Sequence, residues 1–305
     1  MEWLVQIAEM SLTTLAWMAG FAVAFGVLSK FMPCNRGMYW WSNLNALATD
    51  LLYWFAMPVV LRSCRTWLLA VGVSVLFAGA TPGFDAVRAL PIWVQCVGIL
   101  IVQDVLLYWI HRAFHTRLAW SFHAVHHSST TLDWMSATRF HLVNHVLSFV
   151  LADVIVLLAG FSMEALLVLV PFNIIYSSMV HANLNWTFGP LRYVFASPVF
   201  HRWHHVAEGE GINKNFASTF PILDLLFGTY YMPVNQVPER FGNGEADFPD
   251  DFWGQMIYQF QLKIGSSALP REREAEILTT EAQRAQRNAI GMEESGDFSV
   301  PIHTQ

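Results

Sequence analysis

The sequence predicts an all-α integral membrane protein, and three observations carry that reading. Hydrophobic residues fill 54% of the 305 positions and charged residues only 13%, about half the charged share of an ordinary soluble domain. The mean hydropathy is positive. Apolar runs long enough to cross a bilayer recur between short polar turns, and the histidines gather at the ends of those runs. Five of the twelve stand between His111 and His127. The formal charge of −6 comes without any Lys/Arg-rich run, which argues against a nucleic-acid partner. Cys34, Cys64 and Cys96 lie far apart with no Cys-x-x-Cys spacing, which argues against a structural zinc site, an iron–sulfur cluster or a disulfide framework. Any electrons used in catalysis must come from a separate donor.

In chain order, no Lys or Arg precedes Lys30, so the basic n-region of a cleaved signal peptide is missing and Leu4 to Leu28 is expected as a retained first span. Tyr39-Trp40-Trp41 suits an interfacial aromatic belt. Leu44 to Leu61 is a second expected span, interrupted by Asp50 and ended by Arg62 and Arg65. Trp67 to Ala80 follows as either half a hairpin or a re-entrant piece, and Thr81-Pro-Gly-Phe-Asp85 as a loop. Ile92 to Ile110 is the next apolar run and leads directly into His111. Asp104, Tyr108, His111 and His115 form one helical stripe, which suggests Asp104 as the carboxylate that orients a ligating imidazole.

Leu142 to Val180 is apolar again, with a break at Gly160-Phe-Ser162. Histidine clusters on both sides of it share a membrane face only if this segment crosses an even number of times, so it is expected as a hairpin turning at Gly160. Twelve of the seventeen Lys and Arg lie in the flanks on that face, which the positive-inside bias makes cytoplasmic, in a bacterial inner membrane or the endoplasmic reticulum. Phe220 to Pro233 is aromatic-rich and expected to pack as a cap under the histidines. Beyond Arg271 a polar tail is expected, with His303 a lone surface residue.

The chemistry lies in the histidine spacing. On a helix His111 and His115 share a face and can close on one metal or flank two. In His123-x-x-His126-His127 and His201-x-x-His204-His205 the first histidine neighbours both others, while the adjacent pair point about 100° apart and can serve different ions. With His181 these make nine imidazoles, enough for four or five nitrogen ligands on each of two metals. An all-imidazole set suits zinc, copper, nickel or iron. Ligands at the ends of membrane helices beside a large apolar body favour iron, which activates dioxygen against a lipid C–H bond. Hydrolytic sites more often include an activating carboxylate, and none of these boxes contains one.

The motifs Asp104-x3-Tyr-x2-His-Arg-x2-His115, Phe122-His-x2-His-His-Ser128, Arg139-Phe-His141, His181-Ala-Asn183, His201-Arg-x-His-His205 and Phe227-Gly-Thr-Tyr230 resemble the membrane-bound fatty acid hydroxylase and sterol desaturase superfamily over Val97 to Pro233. The resemblance implies four or more transmembrane helices in hairpins and a cytosolic helical cap enclosing a histidine-ligated di-iron centre. It implies His111, His115, His123, His126, His127, His181, His201, His204 and His205 as ligands. His141 and His145 are candidates for a tenth ligand or a supporting role, and Asn185 holds a place where some members carry another histidine. The expected organisation is an N-terminal transmembrane region over 1–90, a catalytic domain over 91–235 and a cytosolic tail over 236–305. The expected activity is hydroxylation of a lipid with O2, with a desaturase as the alternative on the same centre and a metal transporter as a rival from another class. The expected partners are the lipid substrate, surrounding membrane lipids, and either an electron-transfer protein (ferredoxin, cytochrome or reductase) or a pterin.

Overall fold

The computed structural model describes residues 2–76 and 85–265. The expected loop at Thr81, the end of the Trp67 to Ala80 segment, the polar tail and His303 lie outside these. Chain contacts divide the protein into Met1–Gln259 and Phe260–Gln305. The first of these units carries every candidate site residue. Among the described residues its regular elements are helices, and the β-structure is a single antiparallel bridge between Val206 and Phe241.

Among the described residues three helices are long and apolar enough to span a membrane: Leu4–Phe31, Ile92–Phe114 and Met163–His181. The first lies within α1 (Glu2–Phe31), whose 30 residues reach about 45 Å at 1.5 Å per residue. Phe21 and Phe25 are its buried anchors and pack with Trp54 and Trp134. Val23 and Val27 face outward. Next, α2 (Leu44–Leu76) continues as helix past Arg62 and Arg65, beyond its apolar stretch Leu44–Val60. Charge ends an apolar span, but arginine is a good helix former, so the helix outlasts the span. Asp50 is buried in α2 and forms an ion pair with Arg139. Arg139 also donates to the Ala46 carbonyl and to Ser128 Oγ.

Helix α3 (Ile92–Phe114) buries Gln95, Ile99, Asp104 and Tyr108 and exposes Val97, Ile101, Val105 and Trp109. Its buried side meets a hairpin of α4 (Leu142–Leu158) and α5 (Met163–His181), with Ile99 packed among Val156, Leu166 and Leu169. The turn falls at Gly160, as expected from the break in hydropathy, and requires its φ of +93°. Ser162 caps α5 by accepting from the Ala165 amide, and Gln95 Oε1 accepts from the Ser162 amide. A Cβ on Gly98 would lie 2.8 Å from the Phe161 ring, so glycine is what lets α3 and the hairpin close there. One π-helical turn, Val146–Val150, interrupts α4.

Beyond His181 the elements are short. A 3-10 turn at Gly189–Tyr193, α6 (Pro198–His204), a one-turn helix at Ile222–Leu226 and α7 (Phe252–Gly265) are joined by well-bonded loops. Helix α6 starts on Ser197, which accepts from the Phe200 amide, with Pro198 at the first helical position. This region is tied to the body at several points: Asn35 donates to Pro238 O, Tyr53 to Gln255 Oε1 and Trp120 to Glu245 Oε1.

The Asp50 and Arg139 pair makes the fold testable. Removing one member strands the other charge in an apolar site, at a cost of roughly 3–5 kcal/mol. Asp50→Ala is expected to lower thermal stability in detergent steeply, while replacing both residues by leucine and methionine recovers much of the loss. An Asp50→Ala chain that melts with the wild type would remove the pair from the account of the fold.

Candidate metal centre

Nine imidazoles converge where α3 and α5 end. They form two groups: His111, His115, His123, His127 and His204, and His126, His181, His201 and His205. Within each group the candidate ligand atoms all lie within 4.8 Å of one another. A metal–nitrogen bond of about 2.0–2.1 Å puts opposite ligands roughly 4.2 Å apart. Each group therefore has the dimensions of one coordination shell.

The division follows from local helix geometry. Histidines four apart stay together: His111 with His115, His123 with His127, and His201 with His205. The adjacent pairs separate, with His126 and His205 in one group and His127 and His204 in the other. Each box gives two histidines to one group and one to the other, so neither group is complete without both boxes. His181, the last residue of α5, completes the group of four.

The ring nitrogens are oriented from behind. Nδ1 of His111 donates to Phe216 O (2.8 Å), that of His204 to Lys214 O (2.7 Å), that of His126 to Arg139 O (3.1 Å) and that of His181 to Ser177 O (2.7 Å). His115 and His123 bond the Oδ1 atoms of Asn213 (3.0 Å) and Asn144 (2.8 Å). Asn144 sends its own Nδ2 to Ser148, which turns its oxygen toward His123. A carbonyl oxygen only accepts, so each of these Nδ1 atoms carries the proton and each Nε2 is left with a bare lone pair.

Those lone pairs face each other. His111 and His123 approach Nε2 to Nε2 at 3.0 Å, His126 and His181 at 3.4 Å. Nε2 of His115, His127 and His204 is buried with no hydrogen-bond partner. Protonation does not relieve this. Burial, aided by the neighbouring imidazoles, holds His123, His126, His127, His201, His204 and His205 well below the usual histidine range and brings His115 to about 3. Neutral, inward-facing Nε2 donors are what a bound cation needs and what an empty protein interior disfavours. The residues present therefore fit two metal ions.

Four of the suggested supporting residues stand elsewhere. Asp104 accepts from the Thr219 and Phe220 amides, both at 2.7 Å, so it anchors that loop and does not back a histidine. It sits two turns before His111, about 10 Å along the helix, and the acceptor behind His111 is the Phe216 carbonyl. His141 caps the start of α4 by accepting from the Val143 amide. That turns its ring toward the Met256 carbonyl and Gln259. His145 lies one turn on, its ring beside Phe140 and Phe149. Asn185 is exposed, and its amide bonds Met32 O as the chain leaves α5. None of the last three joins either group.

Comparison with known proteins fits this geometry. Residues 96–229 match the fatty acid hydroxylase family model. The chain is 29% identical to an ornithine lipid hydroxylase of Rhizobium tropici, over 65% of this chain and 60% of that protein. It is 32% identical to the alkylglycerol monooxygenase of Danio rerio, over 45% of this chain and 30% of that protein, and 26% identical to a very-long-chain aldehyde decarbonylase of Oryza sativa, over 53% and 28%. It thus covers less than two thirds of each relative's own length. No solved structure matches it. Over residues 96–229 the chain is thus similar to the fatty acid hydroxylase family.

All nine histidines lie in this matched stretch, and so do supports that sequence reading missed. Asn213, Lys214 and Phe216 furnish acceptors for three of the five histidines in the larger group. Left-handed backbone at Asn213 (φ 57°) and Asn215 (φ 59°) aims these acceptors inward, a conformation asparagine tolerates better than most residues. Asn215 is locked by bonds to Phe200 O, Tyr231 O and the Tyr231 amide. Buried Asp224 holds the Phe216 and Ala217 amides and Thr229 Oγ1. The only signal in the sequence was Asn-Lys-Asn beside a box.

Asn213→Gly keeps the left-handed backbone and removes the oxygen behind His115. Titration with cobalt(II), followed by its visible absorption, is expected to show one of two sites weakened by roughly 10 to 100-fold. Asn213→Asp, which restores an acceptor, should recover it. Equal weakening of both sites would show that Asn213 does not act through His115.

Proposed function

We propose that this chain is a membrane-bound non-haem di-iron oxygenase that hydroxylates a C–H bond of a lipid with O2. The observation that carries the reading is the pair of buried groups, five and four neutral imidazoles, with lone pairs turned inward. His111, His115, His123, His127 and His204 would hold one iron, and His126, His181, His201 and His205 the other. Two irons bound there would supply the oxidant that turns RH and O2 into ROH and water, with two electrons and two protons from outside. The chain's own part is to keep the imidazoles neutral, fix their tautomers through carbonyl acceptors, and exclude water by burying the rings. A separate ferredoxin, cytochrome, reductase or pterin would deliver the electrons.

The names of two relatives, an ornithine lipid hydroxylase and an alkylglycerol monooxygenase, favour oxygen insertion over desaturation and a polar lipid as the substrate class. The position of the histidines at the ends of α3 and α5 argues against a transporter, whose site belongs near the bilayer midplane. For topology, α1, α2, α3 and the α4–α5 hairpin would each cross the membrane, with the histidines and the cap on the cytoplasmic side.

Protein purified from iron-supplied cells is expected to carry close to two metal ions per chain. An active, metal-free preparation would end the proposal. His126→Ala and His204→Ala each delete one ligand from one group, and both should remain membrane-inserted because insertion depends on apolar length. Oxidised lipid per folded protein should drop by more than the roughly 10 to 100-fold seen when a residue behind a ligand is changed. Lipid profiles of cells with and without the chain would identify the substrate.

The topology is checked separately. An accessible tag in the Glu208 to Gly211 loop should report the cytoplasm and one at the Gly160 turn the opposite side. Both tags on one side would break the hairpin assignment.

A further inference from the structure

Outside the spanning helices, the region after His181 carries an apolar face that its own packing leaves open. In the one-turn helix Ile222–Leu226, Asp224 is fully buried and fastened to the Phe216 and Ala217 amides. The helix therefore cannot roll. Ile222, Leu225 and Leu226 stand at i, i+3 and i+4, the same side of the turn, and are 52%, 44% and 70% exposed. The neighbouring Leu191 and Phe195 are 56% and 40% exposed, and Phe195 meets Phe220 at 6.0 Å between ring centroids. Single exposed apolar residues need no explanation, but a contiguous patch of them marks a contact surface.

Where the patch lies says what covers it. Phe227, directly after the turn, packs on Trp109 of α3 at 4.8 Å between ring centroids. Trp109 ends the stripe Val97, Ile101, Val105 and Trp109, spaced by four and exposed along its length, the face a spanning α3 turns to lipid. The patch thus continues the lipid-facing stripe of α3 past the end of the helix. Two guanidinium groups stand at its rim: Arg112 lies 5.7 Å from the Trp109 ring centroid and Arg192 lies 5.0 Å from that of Tyr193. Aromatic rings beside arginines, at the level where an apolar stripe ends, are the composition of a membrane interface.

We propose that this face of the cap is inserted into the phospholipid leaflet, with Ile222, Leu225 and Leu226 among the acyl chains near the headgroup boundary and Arg112 and Arg192 at the phosphates. The proposal rests on α3 spanning the membrane and not on the metal reading. It places lipid on the same short segment whose Asp224 holds Phe216 behind His111, so the boundary layer reaches the support of the histidine site.

The test is nitroxide labelling of the full chain in phosphatidylcholine and phosphatidylglycerol nanodiscs, in a background without Cys64 and Cys96, buried Cys34 being left in place. Labels at Leu226→Cys and, independently, Ile222→Cys are compared with Val105→Cys on the stripe of α3 and Glu208→Cys on the exposed cap. Insertion predicts that collisions with oxygen dominate over those with a water-soluble nickel chelate, as at position 105 but shallower. Chelate accessibility equal to that at position 208 overturns the proposal. So does protection from both reagents, the result expected if a second copy or another protein covers this face.

Discussion

A buried imidazole presents two nitrogens, and the folded chain must satisfy both. In this site Nε2 is committed to the interior, so the structure around it is largely an arrangement for receiving Nδ1–H. Backbone carbonyls of Arg139, Ser177, Lys214 and Phe216 and the side-chain oxygens of Asn144 and Asn213 do so. All are neutral. A carboxylate in the same place would pull the Nδ1 proton and make the ring a stronger donor, so this set leaves a metal ion more of its positive charge. The acceptors are distributed unevenly: four serve the group of five histidines and two serve the group of four. The former lean on the loop after α6 and on α4, the latter on the helical backbone of α5 and the segment that enters α4.

The interleaving of the boxes has an energetic meaning. Since each box contributes to both groups, displacing one short helix disturbs both shells at once, and the two groups are expected to assemble cooperatively. The supports behind them reinforce this. Arg139 lends its carbonyl to His126 while its side chain is held by Asp50 and Ala46 on α2, so a helix without a single histidine helps to set the position of one. Asp104 plays a similar part from α3. It fixes the Thr219 and Phe220 amides and thereby the far end of the segment that carries Phe216.

How much of this was legible in the sequence depends on whether a short-range rule governed it. Spacing of four keeps two histidines on one side of a helix and adjacent histidines diverge, so the split of His126 from His127 and of His204 from His205 followed from box spacing. The hairpin at Gly160 followed from segment length. Asp104 was misread because a helical stripe gives direction but not height, and two turns separate it from His111. The full length of α2 was not legible because hydropathy reports the span and not the helix. The acceptors behind the rings left almost no trace, since any residue has a backbone carbonyl. Their placement depends on contacts between segments a hundred residues apart, such as Phe216 with His111.

Arg202 shows short-range and long-range constraints meeting in one side chain. It is the second residue of a His-Arg-x-His-His box and fully buried, where a guanidinium is costly unless its donors are used. Nη1 reaches the carbonyls of Leu132 (2.7 Å) and His181 (3.3 Å), Nη2 reaches the Asn35 side-chain oxygen, and the Phe241 ring lies 4.5 Å away. Burial lowers its proton affinity and raises that of nearby Asp133 to about 7, so the pair cannot be described as an ordinary salt bridge. Its value lies in direction. Asn35 also exchanges bonds with Asn183 through its amide and carbonyl, so one side chain on α6 fixes the end of α5, the loop after α1 and the turn before Asp133 relative to one another. His181 ends α5, and His201 and His205 flank Arg202 on either side. The bond to the His181 carbonyl therefore sets the register between three of the four histidines in the smaller group, a constraint that lysine, with a single point charge, has no geometry to reproduce.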